Sequence, residues 1–245
     1  MLTLKGRIMP ASNATFLAEL ADGREVVYKP IAGERPLWDF PDGTLAGREV
    51  AAYLVSEATG WGIVPRTWIG DGPHGRGMVQ EWQTVGDDDA VSLVPGGDVP
   101  DGWLPVVEGY DERDHPVTLI HEDTAPLRRM AVFDAVVNNA DRKGGHVLAM
   151  ADGRRLGVDH GVTFHHENKL RTVLWGWAGS DLRDDEAAML TRLEAALAGE
   201  LGSALAEHLA GAELRALSSR VRRLLQAGRL PLPSDGWPSI PWPPF

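Results

Sequence analysis

The sequence predicts an α+β fold in which a β-rich front half precedes a mostly helical back half. The chain has 245 residues, enough for one large domain or for two small lobes that share a cleft. Short apolar runs separated by turn residues fill residues 1–84, whereas residues 183–228 are rich in Ala and Leu at helical spacing. A hydrophobic content of 43% and nine Trp residues are ample for a core.

Five strands and one helix account for the front half. Apolar runs and turn signals predict strands over residues 2–9, 15–20, 25–30, 65–70 and 78–83. The sequence Ala21-Asp22-Gly23-Arg24 is typical of a hairpin turn between the second and third strands. Residues 46–59 carry apolar side chains at helical spacing and are followed by Gly60, so they predict a helix.

An acidic segment follows. Residues 86–123 contain eleven acidic side chains and one basic side chain, Arg113, with Pro and Gly scattered between them. This composition favours a long surface insertion or a loosely structured linker, and a solvated loop without a specific role is the simplest interpretation.

The back half is predicted to consist of helices around one hairpin. Residues 123–138 predict a helix, and residues 146–150 and 155–158 predict two short strands joined by a turn at Asp152-Gly153. Residues 183–228 predict two or three helices with breaks near residues 199–202 and at Gly211. The tail over residues 231–245 holds six Pro and two Trp, and it either packs as an extended arm or stays mobile.

Charge and cysteine content exclude several classes of function. The formal net charge is -11, whereas a nucleic-acid-binding protein usually presents a basic face, so no nucleic-acid partner is expected. Without Cys the chain has no disulfide, thiolate metal site or Cys nucleophile. The sequence shows no signal peptide, and its apolar runs are all much shorter than the roughly 18 residues that a membrane helix needs. These features predict a soluble, cytoplasmic protein without stable membrane insertion.

Lys29 and Glu49 are the first candidate functional residues. Lys29 ends a predicted strand of β-branched and aromatic residues, from which its ammonium could hold phosphate oxygens. A lysine on an edge strand that blocks aggregation is the alternative. Glu49 lies in the predicted helix, where it could pair with Lys29 or remain a solvated surface residue.

Two polar loops of the back half each present a carboxylate. Residues 138–146 (NNADRKGGH) place Asp141 before a Gly-Gly turn, with helix capping as the alternative role, and Asp159 follows the second predicted strand in VDHG. The hairpin between them would bring both carboxylates to one cleft, which suits Mg²⁺ and phosphate. A zinc or iron site is a further alternative, although no HxH or HxxxH spacing supports it; it would use His146, His160, His165 and His166.

Together these residues resemble a known family. Their order along the chain (Lys29, Glu49, Asp141, His146, Asp159) is that of a protein-kinase-like fold. The chain is similar over nearly its whole length to a small bacterial family related to the phosphatidylinositol 3-/4-kinases, which are atypical kinases. The VYKP strand, the NNADRKGGH loop and the VDHG turn carry the resemblance. It implies a two-lobed, PI3/4-kinase-like fold, with a β-rich N-lobe over residues 1–84 and a mostly helical C-lobe over residues 85–245.

The resemblance also implies a site for ATP. The turn formed by Ser12, Asn13 and Ala14 would cover the phosphates through backbone N–H groups. Lys29 would contact the α- and β-phosphates, and Glu49 would be its ion-pair partner. The hinge that hydrogen-bonds adenine would lie in the strand MVQEW, with contacts from Gln80, Glu81 and Trp82.

Catalytic and metal-binding roles fall on the two polar loops of the back half. Asp141 would orient or deprotonate the acceptor hydroxyl, Lys143 would stabilise the transferring phosphate, and Asp159 would hold the metal. His146 stands where kinases of this type place an Asn for the second metal. An imidazole is the softer ligand and suits Mn²⁺ better than Mg²⁺, so the implied metal is Mg²⁺ or Mn²⁺.

Three hypotheses about function follow. The first is an ATP-dependent phosphotransferase acting on a hydroxyl of a soluble small molecule or protein, because the net charge and the sparse basic residues of segment 162–179 disfavour docking on an anionic membrane. The second, motivated by His146 and the acidic segment, is a nucleotide-binding pseudokinase that acts through partners. The third is a metal-dependent hydrolase that uses Asp141, His146, Asp159 and His160. The sequence leaves the acceptor and the oligomeric state open.

Overall fold

A five-stranded antiparallel sheet forms the front of the molecule. The computed structural model describes residues 2–9, 13–35, 37, 39–40, 44–235 and 238–245. The sheet has the order β1-β2-β3-β5-β4, and Gly23 takes a positive φ of 86° in the turn between β2 and β3. Its strands are β1 (Thr3–Arg7), β2 (Phe16–Glu19), β3 (Glu25–Pro30), β4 (Thr67–Gly72) and β5 (Gly75–Glu81). All five predicted strands are present: the third matches residue for residue, and the ends of the other four are shifted by one to three residues.

Helix α1 (Leu45–Thr59) packs between this sheet and the helical part. The Thr44 hydroxyl accepts a hydrogen bond from the Gly47 N–H (2.9 Å), and Gly60 ends the helix in the left-handed conformation (φ 70°). Ala51 and Val55 are fully buried, because the small side chains on this helix allow neighbours on several sides.

The acidic segment is a folded sheet, so the expectation of a loosely structured loop or linker is wrong. It forms β6 (Val91–Pro95), β7 (Trp103–Tyr110) and β8 (Pro116–Glu122) in the antiparallel order β6-β8-β7. Val91 and Leu119 face the core and are buried, while most acidic residues lie on exposed strand positions and turns. In the β7–β8 turn, the Asp111 carboxylate accepts hydrogen bonds from the N–H groups of Arg113 and His115. The acidic composition therefore marks turns and an outer face.

Four α-helices and a small hairpin form the described residues of the back half. Helix α2 (Ala125–Val137) leads into the hairpin of β9 (Val147–Ala149) and β10 (Arg155–Gly157), as the sequence predicts. Three helices follow with breaks close to the predicted ones: α3 (Asp184–Leu197), α4 (Glu200–Leu205) and α5 (Gly211–Ala227). No helix among the described residues is both long and apolar enough to cross a membrane.

Residues 238–245 pack as an extended arm, one of the two states expected for the tail. The Ser239 carbonyl accepts hydrogen bonds from the Thr172 N–H (3.0 Å) and the Trp175 indole (2.8 Å), and the Pro244 carbonyl accepts one from the Gly144 N–H (2.8 Å). The Phe245 ring lies where a side chain on Gly144 would be, so a larger residue at this position would displace that ring. The arm therefore lies against the polar loop that carries Asp141.

Two hydrophobic clusters place the polar loops at the junction of sheet and helices. A small cluster on one face of the front sheet includes Tyr28 and Val79. The large cluster joins α1 to the helical half through residues such as Val55, Phe133 and Leu190. Lys29 pairs with Met78 in the sheet register, so it lies on the face opposite Tyr28. The end of β3 thereby directs Lys29 toward α1 and the polar loops.

Candidate active site

Lys29 lies between two carboxylates at the centre of the site. Its ammonium is 2.7 Å from Glu49 Oε1 and 2.8 Å from Asp159 Oδ1. The second Glu49 oxygen, Oε2, accepts a hydrogen bond from the His160 N–H at 2.9 Å. Glu49 is only 2% exposed, so its carboxylate is held by contacts from both halves of the chain. The ion pair between Lys29 and Glu49 that the resemblance implies is therefore present.

The charges of this cluster are strongly coupled. Burial lowers the pKa of Lys29, but the carboxylates of Asp159 and Glu49 outweigh burial and raise it above its ordinary value. The Lys29 ammonium in turn holds the pKa of Asp159 well below its usual range, although burial opposes this. Lys29 is thus a cation and Asp159 an anion across the physiological pH range.

The loop after α2 is fixed by a buried ion pair. Arg142 donates from Nε and Nη2 to the two oxygens of Asp134, each at 2.9 Å, and both side chains are fully buried. Asn139 donates from its side chain to Asp134 Oδ1 (3.0 Å) and accepts at Oδ1 from the Asp141 N–H (3.0 Å). This chain of contacts runs from helix α2 to the backbone of Asp141 and sets its position.

Arg142 also joins this loop to the Asp159 turn. Its Nη1 donates to the carbonyls of His146 (3.0 Å) and Val158 (3.2 Å). Gly157 must be Gly, because a Cβ there would lie 2.9 Å from Arg142 Nη2. Sequence reasoning assigned no role to Asp134, Asn139 or Arg142 individually. The signal that could have found them is a carboxylate on the predicted helix four residues before the polar cluster NNADR.

His146 is set up as an acceptor beside Asp159. Its Nδ1 lies 2.8 Å from the Asp141 carbonyl, which can only accept, so Nδ1 carries the proton and Nε2 keeps its lone pair. That Nε2 is 3.5 Å from Asp159 Oδ2. Burial lowers the pKa of His146, which keeps the imidazole neutral. The pair offers one nitrogen and one oxygen ligand on the same side of the cluster.

Asp141 and Lys143 lie next to this pair. Lys143 Nζ is 3.8 Å from Asp141 Oδ2, a loose contact that leaves both groups able to bind other partners. Burial raises the pKa of Asp141, with the Lys143 charge acting in the opposite direction. A carboxylate with a raised pKa is a better proton acceptor for a hydroxyl group.

The predicted phosphate-covering turn lies only partly within the described residues. Ser12 lies outside them. Asn13 is tied to the chain beyond β3, since its Oδ1 accepts from the Arg35 N–H at 2.9 Å. Ala14 packs against Gly33, where an added Cβ would come within 2.7 Å of the Ala14 side chain. The β1–β2 turn is thus anchored close to the end of the strand that carries Lys29.

The predicted hinge residues are already engaged within the protein. Gln80 is buried, and its side chain donates to Thr67 Oγ1 at 2.9 Å. The Glu81 N–H donates to the Arg66 carbonyl (3.0 Å), and the Trp82 N–H donates to the Glu25 carbonyl (3.1 Å). These contacts engage the Gln80 side chain and the N–H groups of Glu81 and Trp82 within the protein, and contact of residues 80–82 with adenine stays a prediction.

The histidines do not assemble a metal site of their own. His160 is fully buried, and its Nε2 lies 2.6 Å from Arg142 Nη2. His165 and His166 stack on each other, with ring centroids 4.4 Å apart. Within the residues that the structure describes, no group of three or more His, Asp or Glu side chains could hold a metal ion. The hydrolase hypothesis is wrong in its use of His160, because that ring faces the core.

Comparison with known proteins gives one close relative. Protein Rv2133c of Mycobacterium tuberculosis (strain ATCC 25618 / H37Rv) is 52% identical over 257 residues, covering 100% of this chain and 92% of the relative. The chain belongs to the family of Protein Rv2133c. No family model matches the chain.

Solved structures identify the fold of this family member. The chain is similar to the Golgi casein kinase with a TM-score of 0.56 at 12% identity, covering 93% of this chain and 71% of that one. The crystal structure of the Golgi casein kinase with Mn/ADP bound has a TM-score of 0.56 at 13% sequence identity, covering 93% of this chain and 73% of that one. The fold is protein-kinase-like, with a β-rich part and a helical part, as the sequence predicts.

Proposed function

We propose that this protein is an ATP-dependent phosphotransferase. The observation that carries the proposal is the contact of Lys29 with both Glu49 and Asp159, beside Asp141 and His146. Catalysis of phosphoryl transfer depends on positioning and charge stabilisation, and this cluster supplies a cation for phosphate oxygens and carboxylates for metal and acceptor.

Each residue has a task that fits its surroundings. Glu49 orients the Lys29 ammonium toward the α- and β-phosphates, because Glu49 is itself held by the His160 N–H. Asp141 accepts the proton of the acceptor hydroxyl, and Lys143 lies near enough to contact the transferring phosphate. Asn13, Ala14 and Ser12 would cover the phosphates. Adenine would lie at the segment of Gln80, Glu81 and Trp82, whose contacts to it would not use the engaged N–H groups of Glu81 and Trp82.

The site fits one divalent cation held by two protein ligands. The free lone pair of His146 Nε2 and the Asp159 carboxylate face each other across 3.5 Å. Mg²⁺ and Mn²⁺ in phosphotransferases are commonly held by one or two side chains together with substrate phosphates. When bound, the ion neutralises the charge of the phosphate groups. The nitrogen ligand favours Mn²⁺.

The acceptor we propose is a hydroxyl of a soluble small molecule or protein. The cations of segment 162–179 are engaged: Lys169 contacts Asp39 at 3.0 Å, and Arg171 Nη2 donates to the Ile240 carbonyl at 3.4 Å. With a formal charge of -11, little basic surface remains for an anionic membrane. We therefore propose that the site motifs are related to those of the phosphatidylinositol 3-/4-kinases, but we do not propose a lipid acceptor.

A nucleotide-binding pseudokinase is the second candidate, favoured by the direct contact between Lys29 and Asp159. That contact engages the Lys29 ammonium and Asp159 Oδ1, so Lys29 competes with a metal for one oxygen of Asp159, whereas Oδ2 lies toward His146. The two candidates share a nucleotide site and differ in turnover. Transfer of labelled γ-phosphate to any product, abolished in Asp141→Asn, would exclude the pseudokinase.

The test is a thermal unfolding series with ATP and either Mg²⁺ or Mn²⁺. Ligand at about 100 Kd stabilises the folded state by about 2.7 kcal/mol, which for a chain of this size raises Tm by roughly 5–10 °C. The metal-dependent rise should vanish in Asp159→Ala and persist in the matched control Asp152→Ala, an exposed aspartate in the β9–β10 turn. A rise of equal size in both variants would refute the assignment of Asp159.

A further inference from the structure

A cavity lies in the helical half, away from Lys29. It has a volume of about 600 Å³ and is lined by residues of α5, of segment 166–175 and of the chain after α5. It shares no lining residue with the site around Lys29, Asp141 and Asp159. Among the fourteen described residues that line it, none is Asp or Glu and three are Arg.

Arg220 in this cavity differs from the other buried arginines. Four arginines are buried among the described residues: Arg48, Arg128, Arg142 and Arg220. The first three each contact a buried carboxylate, at 2.6, 2.7 and 2.9 Å. Arg220 instead donates to two backbone carbonyls, those of Val136 (2.9 Å) and His165 (3.0 Å). Its Nη2 is buried without a hydrogen-bond partner.

A buried guanidinium without an anion is unfavourable, because burial removes water that no opposite charge replaces. Burial and the nearby Arg223 lower the pKa of Arg220 to about 9. Glu213 acts in the opposite direction, but its carboxylate is engaged by Arg48 Nη2 and by the Ala210 N–H. The cavity therefore has a surplus of positive charge at its wall.

Arg223 and Arg229 add to this surplus from the rim. Both are exposed and line the cavity, and neither makes a salt bridge within the described part of the chain. His166 also lines the cavity. Three arginines without carboxylate partners at one cavity contrast with the net charge of -11 for the whole chain.

Most of the remaining lining is apolar, with Asn168 and Ser234 as the polar exceptions. Leu170, Trp175, Leu224 and Leu230 contribute to the lining. Guanidinium groups bind phosphate through paired N–H donors. Several guanidinium groups at one site therefore suit a phosphate dianion as ligand better than they suit a carboxylate, which carries a single charge. An apolar wall beside them favours a ligand with an aromatic or aliphatic body.

We propose that this cavity binds a small organic phosphate with an apolar body, held by Arg220, Arg223 and Arg229. The phosphate supplies the anion that Arg220 lacks, and the apolar body packs on Trp175 and Leu224. The site is separate from the proposed phosphotransferase centre and does not depend on it.

The probe is 1-naphthyl phosphate, titrated by calorimetry against the full chain. Saturable binding is expected, with 1-naphthol and inorganic phosphate each weaker by about tenfold or more. Each of these arginines would donate charge-assisted hydrogen bonds to the phosphate, so Arg223→Ala and Arg229→Ala should each weaken binding by about tenfold or more. Arg215→Ala, which removes another exposed arginine of α5 outside the cavity, should bind like the unaltered protein. Because Arg223 and Arg229 are exposed, their variants should keep the unaltered Tm.

A Lys29→Met variant separates this proposal from the proposed function. Its affinity for 1-naphthyl phosphate should be unchanged, because Lys29 is not part of the cavity. Loss of binding in Lys29→Met with retention in Arg223→Ala and Arg229→Ala would place the probe in the nucleotide site and overturn the proposal. Absence of saturable binding to the unaltered protein, or equal affinity for inorganic phosphate and the naphthyl ester, would also overturn it.

Discussion

Removing the Asp134 carboxylate tests how the loop of Asp141 is held. In the unaltered protein the side chains of Asp134 and Arg142 are both fully buried. In Asp134→Ala, Arg142 keeps its charge in this buried site but loses its two contacts of 2.9 Å to the carboxylate. Breaking a buried ion pair by removing one partner costs about 3–5 kcal/mol, because the remaining charge is uncompensated. For a chain of this size that corresponds to a fall in Tm of roughly 6–20 °C.

The assay is thermal unfolding followed by circular dichroism, with Asp152→Ala as the control. Asp152 also contacts an arginine, Arg154 at 2.7 Å, but both side chains are exposed, so no measurable change in Tm is expected. If Asp134→Ala has the same Tm as the control, then His160 and the carbonyls of His146 and Val158 are enough to stabilise the buried charge of Arg142, and the reasoning is refuted.

Asp134→Asn separates positioning from stability. The amide keeps an oxygen to accept from Asn139 but cannot pair with Arg142 as a charge. Phosphotransfer should fall in Asp134→Asn under conditions where the variant is fully folded, with ATP affinity changed less than kcat, because Asp141 and not Lys29 depends on this contact. Equal losses in kcat and in ATP affinity would show that Asp134 acts through the whole fold.

Three further predictions concern the metal, pH and the C-terminal arm. His146→Asn should shift preference from Mn²⁺ toward Mg²⁺, seen as a larger ATP-dependent rise in Tm with Mg²⁺ relative to Mn²⁺; an unchanged ratio would remove His146 from the metal site. Burial lowers the pKa of His121, whose Nδ1 donates to the Glu122 carbonyl and whose Nε2 accepts from the Gly176 N–H. The unfolded chain therefore binds a proton at His121 near pH 6.5 that the folded chain does not, so the free energy of unfolding falls as pH drops below that value, by at most about 1.4 kcal/mol per pH unit for this residue. In denaturant titrations, His121→Gln should reduce the slope of this free energy against pH by up to that amount. An unaltered slope would contradict the assignment. Deleting residues 238–245 should speed hydrogen exchange at the amides of Gly144 and Thr172, which the arm covers, while the Asn139 amide, bonded to the Asp134 carbonyl, stays protected; unchanged exchange at Gly144 would show that the arm does not hold that loop.

Much of the fold follows from local sequence patterns. Gly60 and Thr44 bound a helix because capping is a property of a few neighbouring residues. The hairpin between Asp141 and Asp159 could likewise be predicted, since a tight turn forces its two ends together. The expectation for the acidic segment is wrong for the opposite reason: composition describes its exposed face, whereas the burial of Val91 and Leu119 depends on the strands that pair beside them.

By itself, the sequence determined that Lys29, Glu49, Asp141 and Asp159 are the ionisable residues to examine, and that the chain combines a sheet with helices. Tertiary structure decided which of them touch: the contact of Lys29 with Asp159 joins residues 130 positions apart. It also decided that His160 faces the core, that His146 turns Nε2 toward Asp159, and that Arg220 alone among the four buried arginines in the described part of the chain lacks a carboxylate. Local patterns report backbone preferences of neighbours, whereas charge pairing in a low-dielectric interior depends on distances across the whole fold.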